Sequence, residues 1–461
     1  MFKILHRFSN YKMTFLLGVI CYSLMLIFAW LFYKERTVMC DAAFQLFSIL
    51  HEDGFAIQIN RFGAAFTQVF PLLASKMNFS LDMVARVYSL SFIIYYFIVF
   101  LIILLGFKNE KMALVVLLFN TLMVRHSFYW VQCEFVQGAV FTLLYLTVIE
   151  HVLKKEKVPR WFYILTPFFL VTIIYFYPLL LFIMFFGMAF FILNYPAKWR
   201  FLVGILAVYA LMFVVKLKYL NNFYDSKSME GIGNIFSKFP HYFDLPSFHQ
   251  FYRYVINDYY FMVLFWVLTL AFLLYKKYYL HALLMSISLW GVCFIIHINF
   301  ANGVEQFYIE SQYLLFMVFV GMPFAYFLMQ SVKLKPFMIG LLCFSLSISM
   351  LRMVVTQHGY AKRVEYIRSI VAESPTKRIM PITSLNQSLL KFTWGLPFEV
   401  WLLSTIEHHQ TRSVAYEEKE HQYDDLLSNS QKMISLMGIY DYHALNSRYF
   451  MMDSTSFYTH Y

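Results

Sequence analysis

The sequence predicts an all-α polytopic membrane protein that carries a small α/β domain at its C-terminal end. Of its 461 residues, 61% are hydrophobic, 21% are aromatic and only 14% are charged. Soluble domains carry about 25% charged residues, whereas lipid accepts a large apolar surface without cost. A single soluble core is therefore excluded, and a membrane bundle is expected.

Eleven apolar stretches each come close to the length of a membrane-spanning helix, about 20 residues. They cover residues 13–33, 84–107, 111–126, 134–152, 161–176, 178–195, 200–217, 257–275, 278–299, 309–331 and 336–355. The first stretch has no small-residue cleavage site, which predicts a signal anchor. The long run 161–194 is divided near Pro178, because proline breaks a helix. The expected domains are a transmembrane domain over 1–355 and an extracytoplasmic domain over 356–461.

The basic residues predict the orientation of these spans. If Lys3, Arg7 and Lys12 are cytoplasmic, the Lys and Arg of the later short loops fall on the same side, as the positive-inside rule requires. The segments that then face outward are 34–83, 127–133, 218–256 and everything after about 356. The net charge of +11 is attributed to this topology and not to nucleic acid, because no basic stripe alternates with base-stacking aromatics. The expected location is a bacterial cytoplasmic membrane.

Two outer segments have a pattern of their own. In the first, residues 41–51 and 61–76 repeat apolar side chains at helical spacing, which predicts two helices lying in the membrane interface. In the last, residues 361–373 have a helical pattern, while 378–383 and 412–416 resemble strands. These patterns predict the small C-terminal α/β domain.

Two acids stand at the predicted outer membrane face, and each directly follows a cysteine. Asp41 comes just after the first span and Glu134 just before the fourth. Ionisable groups at the edge of the hydrocarbon are costly and usually line a water-filled cavity. Asp41 is the candidate general base and Glu134 its companion. Alternatively, each acid only stabilises the positive end of the helix that it begins.

Three basic residues are candidates for binding a phosphate in this region. Arg125 and His126 lie at the outer end of the third span, and Arg61 lies in the first outer loop. Cationic side chains stabilise the charge on a transferring or leaving phosphate. The alternatives are an arginine that snorkels towards the interface and one that contacts lipid headgroups.

The remaining candidates are spread over other outer loops. The large loop before the eighth span contains His241, His249 and Arg253 among many aromatic residues, a mixture suited to binding a lipid or a sugar, although a solvated loop is the default interpretation. Cys40 and Cys133 are the one plausible disulfide, which an oxidising outer compartment would permit. A disulfide there would tie the two loops that carry the acids.

The combination resembles the GT-C superfamily of polytopic glycosyltransferases, which use polyprenyl-phosphate sugars. The resemblance rests on the cytoplasmic N-terminus, on the Cys40-Asp41 pair in a large first outer loop, and on Glu134 between the third and fourth spans. It implies Asp41 as catalytic base and Glu134 as a second acid that orients the acceptor or helps to hold a divalent metal. It also implies a basic residue at the donor phosphate, chosen among Arg61, Arg125 and His126. The tail segment 393–404 resembles segments of uncharacterised bacterial membrane proteins, without a chemical role.

The expected function is transfer of a sugar from a polyprenyl-phosphate donor to a hydroxyl of a glycan, lipid or protein acceptor, with inversion, in cell-envelope glycan synthesis. One alternative is an O-antigen-type polymerase or ligase that works through His241, His249 and Arg253. A second is a transporter of lipid-linked sugars, for which internal repeats are expected and none is evident. A structural scaffold would need neither acid.

Overall fold

The protein folds mainly into helices. A computed structural model of the chain describes residues 10–220, 222–374, 376–419 and 421–460, so Lys3 and Arg7 lie outside the described residues. The α-helices, in chain order, are α1 (Asn10–Leu31), α2 (Tyr33–Thr37), α3 (Cys40–Glu52), α4 (Ala65–Lys76), α5 (Leu81–Leu101), α6 (Glu110–Phe119), α7 (Glu134–Leu153), α8 (Arg160–Ile174), α9 (Leu180–Asn194), α10 (Trp199–Tyr219), α11 (Phe223–Gly233), α12 (Pro246–Asn257), α13 (Tyr260–Tyr275), α14 (Tyr279–Asn299), α15 (Gln306–Tyr313), α16 (Leu315–Pro323), α17 (Lys335–Glu373), α18 (Gln387–Leu390), α19 (Leu396–His408) and α20 (Asp424–Leu427).

Several helices begin at a polar residue that caps their first turn. The side-chain oxygens of Ser80 and Asn109 accept hydrogen bonds from backbone N–H groups three residues later, at 3.4 and 3.1 Å. Asn222 does the same at α11, where the distance to the Asp225 N–H is 2.9 Å. Such caps satisfy donors that have no partner inside the helix.

The structure contains seven helices, or eight when a bent pair counts as one, that are long and apolar enough to span a membrane within the described residues. The sequence-based count of eleven is therefore not confirmed, although a helix stands at each predicted position. The three helices that fall short are α6, with 10 residues, and α8 and α9, with 15 each. At 1.5 Å per residue even the longer two reach only about 22 Å, less than the roughly 30 Å of hydrocarbon.

The break predicted near Pro178 is confirmed, since α8 ends at Ile174 and α9 begins at Leu180. A second break separates α12 from α13, which meet at an angle of 84°. The helix α13 continues the bundle, so α12 runs across the direction of its neighbour. Because of this bend, α12 lies across the end of the bundle.

The loops separate into two groups at opposite ends of the helices. At one end, Glu150 accepts hydrogen bonds from Asn109 (2.6 Å), Tyr195 (3.3 Å) and Tyr326. At the other end lie Asp41, Arg61, Glu134 and their neighbours. The grouping agrees with the loop assignment made from the sequence, while the side that faces the cytoplasm stays a prediction.

The C-terminal part forms a small mixed α/β unit. Its three-stranded parallel sheet has the order β2-β1-β5, with β1 at Lys377–Pro381, β2 at Ser413–Glu417 and β5 at Thr459–His460. A separate hairpin pairs β3 (Lys432–Ser435) with β4 (Gly438–Asp441). The predicted strands at 378–383 and 412–416 are thereby confirmed to within a few residues.

This unit packs directly on the first interfacial helix α3. The buried ring of Phe47 contacts those of Phe398, Trp401, Tyr440 and Phe450, with centroids 4.8 to 5.3 Å apart. These residues belong to the same continuous hydrophobic core as the membrane helices. The helix α17 also runs without a break through the expected domain boundary at residue 355. The C-terminal unit therefore supports the end of the bundle at which α3 lies.

Candidate functional site

Asp41 lies in the first turn of α3, at the junction between the bundle and the C-terminal unit. The helix is held there because Glu399 of α19 accepts a hydrogen bond from the Cys40 backbone N–H, and because Gly395 packs against Cys40. A Cβ on Gly395 would come within 2.6 Å of the Cys40 Cα, so only glycine fits. The C-terminal unit thus fixes the position of Asp41.

The Asp41 carboxylate is half-buried, and it makes no hydrogen bond or ion pair with any residue that the structure describes. Burial raises the pKa of this carboxyl from 3.8 to about 7, and repulsion from Glu134 and Glu399 adds to the increase, while Arg61 opposes it. A carboxyl with a pKa near 7 exchanges a proton readily at neutral pH, as a general base must. The general-base role of Asp41 stays a prediction, and a pKa near 7 is compatible with that role.

Glu134 lies close enough to Asp41 to repel it, and it is itself fully engaged. Its Oε2 accepts from the Arg61 guanidinium at 3.1 Å, and its Oε1 accepts from the Gln132 amide at 3.1 Å. Tyr88 in turn donates to Gln132 at 3.3 Å. These partners fix the orientation of the Glu134 carboxylate.

Arg61 joins Glu134 to a second, deeper acid that the sequence analysis did not single out. Its Nη2 lies 3.5 Å from Asp225, and Asp225 is paired with Lys216 at 2.7 Å. Burial alone would lower the pKa of Arg61, but Glu134, Tyr177 and Asp225 together raise it. We call Asp41, Glu134, Arg61, Asp225 and Lys216 the Asp41 cluster.

One donor in the Asp41 cluster remains unused. The Arg61 guanidinium stacks on the Tyr177 ring, with its central carbon 4.6 Å from the ring centroid, and its Nε is buried without a hydrogen-bond partner in the described part of the chain. A buried donor without an acceptor costs about 1 to 3 kcal/mol. An incoming anionic oxygen would satisfy it.

An aromatic surface lies beside Asp41. Tyr308 is 40% exposed and interacts electrostatically with Asp41. Its ring packs against Trp130 and Phe392, with centroids 6.0 Å away in both cases. Phe307 completes this aromatic shelf, 4.7 Å from Trp130. Rigid aromatic faces of this kind bind flat apolar faces at little entropic cost.

Arg125 and His126 lie in a different group of residues. The Arg125 guanidinium is paired with Asp258 and donates to Thr356 at 2.8 Å. Glu310 accepts from the Arg125 and Ser127 backbone N–H groups, at 2.8 and 2.7 Å. We call Arg125, Asp258 and Glu310 the Arg125 cluster. The Arg125 guanidinium is therefore engaged by Asp258 and Thr356, and no contact joins it to Asp41 in the described part of the chain.

His126 belongs to the edge of that group. Its Nδ1 lies 3.3 Å from the Tyr360 hydroxyl. Burial lowers the pKa of His126, which Glu310 partly offsets. The side chain is therefore mainly neutral near pH 7, and a neutral imidazole offers little stabilisation to a phosphate.

The three candidates of the loop 218–256 are exposed. His241 pairs with Asp244 at 3.0 Å, while the side chains of His249 and Arg253 make no hydrogen bond or ion pair among residues 10–220, 222–374, 376–419 and 421–460. None of the three contacts Asp41. The structure therefore unites Asp41, Glu134 and Arg61, but leaves these three apart.

The expected disulfide is wrong, because Cys40 and Cys133 are both free thiols. The Cys40 Sγ donates to the Phe392 carbonyl at 3.6 Å, whereas the Cys133 thiol interacts with Ser311. Each thiol is therefore occupied by a different neighbour. The loops are tied by the Arg61–Glu134 pair instead.

The described residues do not fit the divalent metal that the resemblance implies. Within them, no group of three or more His, Cys, Asp or Glu side chains is arranged to hold a metal ion. Glu134 is already engaged by Arg61 and Gln132.

Sequence reasoning missed Asp225, Lys216, Glu310 and Glu399. A signal existed for two of them, because Lys216 and Glu310 are ionisable residues inside apolar spans, where such groups tend to be functional. Asp225 lies in a polar segment, where an acid is ordinary, whereas Glu399 lies in the segment 393–404, to which the sequence analysis attached no chemical role. Comparison of the chain with protein-family models, with curated proteins and with solved structures finds no match.

Proposed function

We propose that this protein is a membrane glycosyltransferase of the GT-C type, which moves a sugar from a polyprenyl-phosphate donor to an acceptor hydroxyl. The observation that carries the proposal is the Asp41 carboxylate, half-buried, without a partner among the described residues, and with a pKa near 7. A structural acid at a helix end would be expected to find a donor, as Glu134 does.

The proposed reaction is a single displacement. Asp41 takes the proton of the acceptor hydroxyl as its oxygen attacks the anomeric carbon. The bond between that carbon and the phosphate oxygen breaks, and polyprenyl phosphate leaves with the electron pair. One displacement inverts the anomeric configuration. A positioned general base contributes about 10²- to 10⁴-fold to such a step.

Arg61 is the best-placed cation for the leaving phosphate. Its contact with Asp225 is long, at 3.5 Å, and its buried Nε has an unused hydrogen. A phosphate oxygen could accept from Nε while Glu134 retains its own bond to Nη1. Because the site is largely shielded from water, such a charge contact is stronger than it would be in bulk solvent.

The aromatic shelf provides a surface for the sugar itself. Tyr308 is partly exposed next to Asp41, and Trp130, Phe307 and Phe392 support it from behind. The C–H face of a hexose or pentose ring can lie on such a surface. The donor ring would then be held between the aromatic shelf and the carboxylate.

The test is transfer by the full-length protein in proteoliposomes, supplied with a panel of short-chain polyprenyl-phosphate sugars, with release of polyprenyl phosphate as the readout. Asp41→Asn should lower the rate by about 10²- to 10⁴-fold. The wild-type rate should rise with pH as Asp41 ionises, with a midpoint near pH 7. Glu52→Gln, an exposed acid on the same helix, is the matched control and should retain the wild-type rate.

Full turnover by Asp41→Asn would refute the proposal. If Arg253→Ala removed activity while Asp41→Asn kept it, the polymerase or ligase hypothesis would take its place. If the protein moved the intact lipid-linked sugar across the membrane without releasing polyprenyl phosphate, it would be a transporter.

A further inference from the structure

We propose that α12, with the aromatic segment that precedes it, lies in the headgroup layer of the bilayer and binds the membrane surface beside the Asp41 cluster. The partner is the bulk phospholipid surface, recognised by apolar side chains and by cations that meet lipid phosphates. The inference does not depend on glycosyl transfer.

The direction of α12 differs from that of the bundle helices. It meets α13 at 84°, and α13 contributes to a candidate span. If α13 crosses the membrane, α12 must run close to parallel with the membrane surface. Both ends of this region stay at the site end of the bundle, because Asp225 pairs with Arg61 and Asp258 with Arg125.

The inner face of α12 is fixed firmly to the bundle. Phe251 packs on His297 and Tyr313, with ring centroids 5.1 and 5.0 Å apart. Ser247 donates to the His297 carbonyl at 3.1 Å, and Gln250 accepts from the Val304 N–H at 3.1 Å. The orientation of the helix around its own axis is therefore set.

That orientation leaves the opposite face exposed, at the positions of His249, Tyr252, Arg253 and Ile256. Their spacing of three and four residues places them on one side of the helix. Tyr252 is 64% exposed and Ile256 54% exposed. An arginine and a tyrosine beside an aliphatic residue are typical of a helix that lies in the interface.

This face continues into a surface that lipid must cover if α13 spans. On α13, beyond the bend, Tyr260, Leu264, Val267 and Leu274 are also exposed, at helical spacing. A side chain exposed on a spanning helix contacts lipid. The exposed face of α12 therefore ends next to the start of the lipid-facing stripe of α13.

The segment before α12 exposes the large aromatic residues Phe223, Phe236 and Phe239, at 73%, 86% and 70%. Apolar surface of this extent is unfavourable in water and marks an interaction site. This segment and α12 expose more cations than acids. The four exposed cations are Lys218, Lys227, Lys238 and Arg253, and the two exposed acids are Glu230 and Asp244. This balance favours an anionic lipid surface.

The test places a fluorescent probe on α12 in the full-length protein in nanodiscs. Cys343, the exposed native cysteine among those described, is first replaced by serine. A bimane label is then attached at Ile256→Cys, and at Ile439→Cys as the matched control, since Ile439 is 51% exposed in the C-terminal unit. Lipids carry a spin-label quencher either on the headgroup or deep in the acyl chain.

The headgroup quencher should quench the bimane at residue 256 to an extent more than about twice that at residue 439. Equal quenching at both positions would overturn the proposal, and so would stronger quenching of residue 256 by the deep quencher, which would mean insertion into the hydrocarbon. Raising the share of anionic phosphatidylglycerol should increase the quenching, and Arg253→Gln should weaken that dependence. If Arg253→Gln left it unchanged, the role assigned to the cation would be wrong.

Discussion

The Asp41 cluster and the Arg125 cluster lie at the same end of the helices and use the same kinds of side chain, but they satisfy their charges differently. In the Arg125 cluster, Glu310 accepts three hydrogen bonds on Oε1 and one from Tyr259 on Oε2. In the Asp41 cluster, Asp41 has no hydrogen-bond or ion-pair partner within the described ranges, although Glu134 and Arg61 lie close enough to interact with it electrostatically.

The difference distinguishes a carboxylate that stabilises the fold from one that is available to react. A carboxylate that accepts several backbone and side-chain donors ties segments of chain together, and its charge is already compensated. A carboxylate left without donors is a cost to the fold, and such costs concentrate at functional sites. The comparison therefore directs mutagenesis to Asp41 for chemistry and to Glu310 and Asp225 for stability.

The largest effect should come from breaking the buried end of the Asp41 cluster. Asp225→Leu leaves Lys216 without its carboxylate, and both side chains are almost completely buried. Removing one partner of a buried pair costs about 3 to 5 kcal/mol. Thermal unfolding in detergent, followed by tryptophan fluorescence, should show a marked loss of stability.

The double variant Asp225→Leu with Lys216→Met is the control for that loss. Replacing a buried pair by apolar side chains of similar volume is often neutral or stabilising, so the second substitution should restore most of the stability. A double variant as unstable as the single one would show that packing, and not an uncompensated charge, causes the loss.

A smaller effect is expected from Glu310→Gln in the Arg125 cluster. The neutral amide keeps the shape of the side chain, but its oxygen is a weaker acceptor for the Arg125 and Ser127 N–H groups. The expected cost is about 1 to 3 kcal/mol. The same thermal assay measures it, with Glu52→Gln expected to change stability by less than about 0.5 kcal/mol as an exposed position.

An effect of opposite sign, which depends on pH, is expected for Asp41→Asn. The folded-state pKa of Asp41 is raised from 3.8 to about 7, so the unfolded chain ionises more easily than the folded one. The resulting penalty to folding begins above pH 3.8 and is complete above about pH 7. Asparagine avoids this penalty, so the variant should be more stable than the wild type at pH 8, with a smaller gain at pH 5.

A pH-independent difference between Asp41→Asn and the wild type would show that the carboxyl is solvated like an ordinary surface acid. The stability measurement reports what Asp41 contributes to folding, and the transfer assay reports what it contributes to activity. Loss of activity together with a gain in stability at high pH is the result expected of a side chain retained for chemistry.

Much of the local structure could be predicted from the sequence. A helix expected at 41–51 is observed at Cys40–Glu52, and the break near Pro178 is present. Both follow from short-range rules, namely helical periodicity and the missing N–H of proline. The number of spans could not be predicted in this way, because α8 and α9 are as apolar as the longer helices and differ only in where they end.

The site could be predicted only in part. Asp41, Glu134 and Arg61 were found because ionisable groups at a membrane face are unusual, and the structure brings them together. The pairing of Asp225 with Arg61 and of Glu399 with the Cys40 N–H joins residues 164 and 359 positions apart in the chain. Contacts at such separations leave no periodic signal in one sequence.

The unbroken helix α17 has a mechanical consequence. Its 39 residues make a rod of about 58 Å, roughly twice the 30 Å thickness of the hydrocarbon. Arg363, near its outer end, pairs with Glu399, which holds the start of α3. Helices tilt when the bilayer is thinner than their apolar length. Bilayer thickness would therefore act, through the tilt of this rod, on the position of the Asp41 carboxylate.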